Sequence, residues 1–158
     1  MAHIMNMDRV VNPRPVTFVN SIAGLERGLF LEIEGMAKNN VWGGGADDFE
    51  AYKVKLATAT TKVENLVINT TVPKQYDERL EEKDFVMAEG AMGRAHYITT
   101  GDEYTLAKAF VANVTAVGDE VELAASGQLA KKTNGTAIGE VVRIYKWNGQ
   151  DSVMIRFY

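Results

Sequence analysis

The stretch that decides the fold is Ala137–Tyr158, AIGEVVRIYKWNGQDSVMIRFY. Two β-rich runs flank Asn148-Gly149, a dipeptide suited to the positive-φ positions of a two-residue hairpin turn. In the second run Val153, Ile155 and Phe157 fall on one face, and Met154, Arg156 and Tyr158 on the other. In the first run Val142 and Ile144 share a face opposite Arg143, Tyr145 and Trp147. This period-two alternation is what a half-buried antiparallel ribbon requires. A strand in this terminal position is normally fixed by pairing into a sheet, so the hairpin is expected to complete the core.

Working back from the hairpin, the same pattern recurs. Gly28–Gly35 alternates Leu29, Leu31 and Ile33 with Phe30, Glu32 and Glu34. Ala51–Thr58 sets Tyr52, Val54 and Leu56 against Lys53 and Lys55, and Asn65–Val72 is rich in β-branched residues. Arg94–Thr99 and Glu120–Ala124 read as further strands, with turns at Gly101-Asp102, Gly118-Asp119, Ser126-Gly127 and Asn134-Gly135. Tyr104–Thr115 fits helix or strand, with strand favoured after Ala109. The one helix expected is Lys74–Lys83, where Pro73 suits the first position and Tyr76 and Leu80 are spaced i, i+4. Met1–Pro15 has neither period, and Asn12-Pro13-Arg14-Pro15 favours an extended path. The expected protein is therefore mainly β. It is a compact β-sandwich or β-barrel with one short surface helix. An extended N-terminal arm (residues 1–20) precedes a β-rich core (21–158), with room for a subdomain at 46–101.

Composition narrows the function. A chain of 158 residues suits one domain, or one domain plus an extension. Its net charge of −4 argues against a general nucleic-acid coat, which would be basic. The absence of cysteine excludes disulfides and thiolate metal sites. No apolar run approaches the roughly 18 residues of a membrane span. The start MAHIMNMDR lacks the apolar core of a signal peptide, so export by that route is not expected.

Catalytic signatures are equally sparse. The two histidines, His3 and His96, show no zinc spacing, and His96 reads as a structural residue within a strand. No serine stands in a G-x-S-x-G context. Gly43-Gly44-Gly45 lacks the Lys-Ser/Thr ending of a P-loop. Asp47 and Asp48 lack EF-hand spacing, and the acidic groups around Asp77 and Glu81 read as solvated charge. No catalytic residue, cofactor or metal is expected. The aromatic and basic residues Arg143, Tyr145, Lys146, Trp147, Arg156 and Tyr158 resemble an interface. Tyr145, Trp147 and Tyr158 are the expected oligomer or partner surface. A stacking platform for a nucleic acid or glycan is the alternative use of that face.

The order of these pieces carries a resemblance. Gly118-Asp119-Glu-Val-Glu-Leu, Gly127, Gly135-Thr-Ala-Ile-Gly139-Glu-Val-Val-Arg-Ile and the closing Val153-Met-Ile-Arg-Phe resemble the C-terminal half of tailed-bacteriophage capsid decoration (cement) proteins. The resemblance covers about the last 40 to 60 residues, and Ala46–Gly101 has no counterpart in it. It implies a non-enzymatic virion protein on the outer surface of the expanded capsid. Such a protein bridges major capsid protein subunits, commonly as a trimer. It implies no cofactor, no membrane and no specific nucleic acid. The arm is then the expected capsid-binding segment, with Val10, Val11 and Phe18 as anchors and Arg9 and Arg14 as polar contacts. A phage tail or head-completion component is the nearest alternative.

Overall fold

The computed structural model describes residues 5–36, 51–72 and 85–158. The protein is mainly β, built from a seven-stranded sheet and a closed five-stranded barrel. The chain starts in the sheet with β1 (Met5–Arg9). It then makes the barrel from β2 (Pro15–Val19), β3 (Phe30–Met36), β4 (Tyr52–Leu56), β5 (Leu66–Asn69) and β6 (Met92–Tyr97). It returns to the sheet for β7 (Glu103–Ala107), β8 (Val111–Ala112), β9 (Glu120–Leu123), β10 (Leu129–Lys131), β11 (Gly139–Trp147) and β12 (Gln150–Phe157). The order across the sheet is β1-β7-β12-β11-β9-β10-β8, and around the barrel β2-β4-β3-β5-β6. Among the described residues, helical structure is confined to three single turns, at Val63–Asn65, Lys108–Phe110 and Ala125–Gly127. The helix expected at 74–83 lies outside the described residues, as does the glycine loop with Trp42.

The hairpin forms as its sequence dictates. Trp147 pairs with Gln150 around a two-residue turn, and Asn148 and Gly149 take φ of 46° and 81°. Val153, Ile155 and Phe157 are all buried on the inner face. The first strand departs from the expected alternation. Val141 opposes Ile155 while Arg143 opposes Met154, so Val142 is the extra residue of a β-bulge. The bulge shifts the phase, and Val141 is the fully buried residue in place of Val142, with Ile144 also packed on the core. Gly139 is required at the base of the hairpin, because a Cβ there would sit 2.6 Å from the Arg156 carbonyl oxygen.

Two cores meet along one wall of the barrel. Phe18, Leu31, Val54, Val67 and Ala95 form one cluster with Leu25 and Met87. The neighbouring Phe30, Leu66 and Ile68 face the other way, into a cluster with Tyr104, Leu106, Val153, Ile155 and Phe157. The Phe30 and Phe157 rings lie 5.8 Å apart across that contact. All four residues of β5 are consequently buried. Each large side chain taken from water contributes about 1.5–3 kcal/mol.

Of the ambiguous Tyr104–Thr115, the start is strand in β7, Lys108–Phe110 is a helical turn, and the strand favoured after Ala109 is the short β8, Val111–Ala112. The segment read as an arm is extended but is built into the fold, since β1 pairs with β7 and β2 with both β4 and β6. The barrel therefore begins at Pro15. Residues 52–97 supply three of its strands, with β2 and β3 supplying the others.

Candidate functional site

The residues expected to contact a partner from the N-terminal segment do not share one surface. Phe18 has no exposed area and packs inside the barrel, so it anchors β2 rather than a partner. Val10 is half-buried against the sheet core. Arg9, Val11 and Arg14 are exposed, Val11 to 51%. They line the connection between β1 and β2, which runs beside the loop that leaves β6. Arg14 lays its guanidinium 4.8 Å from the centre of the Tyr97 ring, and its carbonyl accepts from the Tyr97 N–H at 3.1 Å.

That connection is held by a residue the sequence offers only as part of a turn. Asp102 is fully buried. Its carboxylate accepts the Val11 N–H at 2.8 Å and the Thr99 N–H at 2.9 Å. Its own carbonyl accepts the Phe157 N–H at 2.9 Å. One residue thus ties the N-terminal segment, the β6–β7 loop and β12 together. The signal in the sequence is slight: Gly-Asp marks a turn, and nothing distinguishes a buried aspartate from a solvated one. Beside it the Tyr104 hydroxyl is buried with no hydrogen-bond partner among the described residues. Burial, with Asp102 nearby, holds that phenol well above its usual range.

The aromatic residues of the hairpin divide. Arg143, Tyr145 and Trp147 form a row along the outer face of β11. The Arg143 guanidinium lies 4.2 Å from the Tyr145 ring centre, and the Tyr145 and Trp147 rings are 6.4 Å apart at 74°. The Tyr145 hydroxyl is 2.6 Å from Thr105 Oγ1, which donates to Asp8 Oδ2 at 2.6 Å. Tyr158 is at the opposite end of the hairpin, where its hydroxyl donates to Glu120 at 3.3 Å. The Tyr145 and Trp147 rings therefore share no common plane, and the Arg143 guanidinium covers one of them.

The remaining polar groups are structural in their geometry. His96 Nδ1 lies 2.6 Å from Thr70 Oγ1, and burial, then the Arg94 charge, lowers its pKa below the usual 6.5. Asp119 binds Lys131 at 2.7 Å and accepts the N–H groups of Thr115 and Ala116. These contacts, Lys131 foremost, hold its carboxyl well below the ordinary range. A hollow of about 630 Å³ opens on the barrel, with Val72, Val86 and Met92 exposed along it and Arg94 among its lining residues. Among the described residues no three His, Asp or Glu side chains are placed to hold a metal ion, and no helix is long and apolar enough to cross a membrane.

A closed small barrel set against one face of a larger mixed sheet is the class this fold defines. No family model matches the chain, and no curated protein matches it. Among solved structures, the chain is similar to the head fiber gp8.5 N base of bacteriophage phi29. The TM-score is 0.49 at 12% identity, over 93% of this chain and 95% of that one. A likeness at this level carries no inference about function.

Proposed function

We propose that this chain is a non-enzymatic structural protein of a tailed-phage head. It binds the outer surface of the expanded shell and stabilises contacts between major capsid protein subunits. The observation that carries the reading is the run Gly118–Phe157, whose sequence resembles capsid decoration proteins. Its four strands, β9 to β12, stand side by side in one sheet. A ligand that binds only the assembled shell stabilises it by mass action, and many copies compensate for a small area each. The capsid-facing strip is the β1–β2 connection, with Arg9, Val11 and Arg14 as its exposed members and Phe18 no longer among them.

Co-sedimentation with expanded and unexpanded phage shells tests the proposal. Saturable binding of many copies to expanded shells is the expected outcome. The pair Val11→Asp and Arg14→Glu should weaken that binding in a protein that still folds, by more than the loss of the Arg14–Tyr97 contact alters its stability. A folded protein that pellets with neither shell refutes the reading.

A further inference from the structure

The longest strand of the sheet has an open edge. β9 pairs with β11 only at Gly139 and Glu140, and the Val141 N–H and C=O are taken up by Asp119 and Gly118. Beyond Val141 no described residue hydrogen-bonds the outer edge of β11. In a hairpin with a two-residue turn, the residues that bond across it are Trp147, Tyr145 and Arg143. Ile144 and Lys146 therefore turn both backbone groups outward. The outer groups of Val141 point the same way, as the bulge at Val142 requires.

We infer that a second copy of this chain pairs here, β11 against β11, antiparallel about a two-fold axis at Tyr145. Three registers satisfy the outward groups, and the side chains choose between them. Pairing Lys146 with Lys146 places like charges directly opposite, which is destabilising. Pairing Ile144 with Ile144 brings Trp147 of the second copy opposite Val141, where Gly118 and Asp119 already sit. Pairing Ile144 with Lys146 avoids both. It forms four backbone hydrogen bonds and ends the ladder where the bulge begins.

The same register makes the outer face self-complementary. Arg143 of each copy stands across from Trp147 of the other, a cation–π pairing that favours tryptophan. Tyr145 meets Tyr145 on the axis. The row Arg143, Tyr145, Trp147 is then continued by its own reverse, so the contact is isologous and closes at two copies. The geometry thus calls for a two-fold association at this edge, distinct from the threefold one that the sequence resemblance implies. It does not depend on what the protein binds.

The chain has no cysteine, so engineered thiols report the register directly. Residues opposed on the axis form a non-hydrogen-bonded pair, whose Cβ atoms lie at the near end of the cross-strand range, roughly 4.5 Å, within reach of a disulfide. Under mild oxidation Tyr145→Cys should give a covalent dimer. Arg143→Cys and Trp147→Cys should each give no covalent dimer alone but cross-link when mixed. Lys146→Pro removes an outward donor while sparing the backbone bonds to β12, losing only the exposed ion pair to Asp151, and should shift the unmodified dimer to monomer in sedimentation equilibrium. A monomeric full-length protein would overturn the inference. So would cross-linking at Arg143→Cys alone that matches Tyr145→Cys, or a Lys146→Pro chain that stays folded and dimeric.

Discussion

Asp102→Asn tests whether one buried carboxylate holds the N-terminal segment to the rest of the molecule. The aspartate receives two backbone N–H groups, from Val11 and Thr99, one on each oxygen. Asparagine keeps the shape but offers one acceptor, and its amide then faces an N–H donor. A hydrogen bond to a charged group contributes about 1.5–3 kcal/mol, and a buried donor left without a partner costs about 1–3 kcal/mol. Removing a buried charge returns part of this. The net expectation is a loss of about 2–4 kcal/mol. For a chain of this size that lowers Tm by about 5–15 °C. Urea unfolding gives the first number and a thermal scan the second. Amide exchange locates the effect: Val11 should lose protection in the variant while the buried strand β5 keeps it. A loss below about 1 kcal/mol together with unchanged exchange at Val11 would refute the argument.

Three other outcomes follow from contacts described above. Phe18→Ala should cost about 3–5 kcal/mol in urea unfolding, since the ring is wholly enclosed in the barrel; a surface anchor would cost little. Gly139→Ala should cost about 1–3 kcal/mol, because the new methyl meets the Arg156 carbonyl, a backbone atom that cannot swing aside. The Asp119 carboxyl is held below its ordinary value of 3.8, so its contribution is complete above that value and is lost as pH falls toward the folded-state value. Stability measured against pH should therefore fall less steeply on the acid side for Asp119→Asn than for the parent, and equal acid slopes would contradict the assignment.

How much of this was legible in the chain depends on which interaction decides each element. The hairpin was readable because turn chemistry at Asn148-Gly149 and alternation in Val153–Phe157 are local signals that agree. The bulge at Val142 was not, since an inserted residue leaves no mark when valines stand at both 141 and 142. β1 was hidden, and β2 showed only as a short candidate strand at Val16–Val19, because each run is too short to display a period. Their strand character comes from partners far along the chain, β7 for one and β6 for the other. The barrel was named only as one of two options, because closure is a property of five separate pairings. Asp102 and the exposed row on β11 share this limit. A sequence shows an aspartate or a tyrosine, while burial and an unpaired edge belong to the assembled sheet.

The placement of β1 has a consequence for how the protein comes into being. Among the described residues its pairing partner is β7, which lies in sequence beyond the whole barrel. A chain emerging from the ribosome makes Met5–Arg9 before any barrel strand, yet among the described residues that segment has no strand to join until every barrel strand has been synthesised. The barrel strands, by contrast, find their partners among themselves. Contacts between distant segments form late, once the intervening chain is already compact. The first described strand to be made is thus among the last to dock, and a half-finished chain carries a closed barrel with Met5–Arg9 still unpaired.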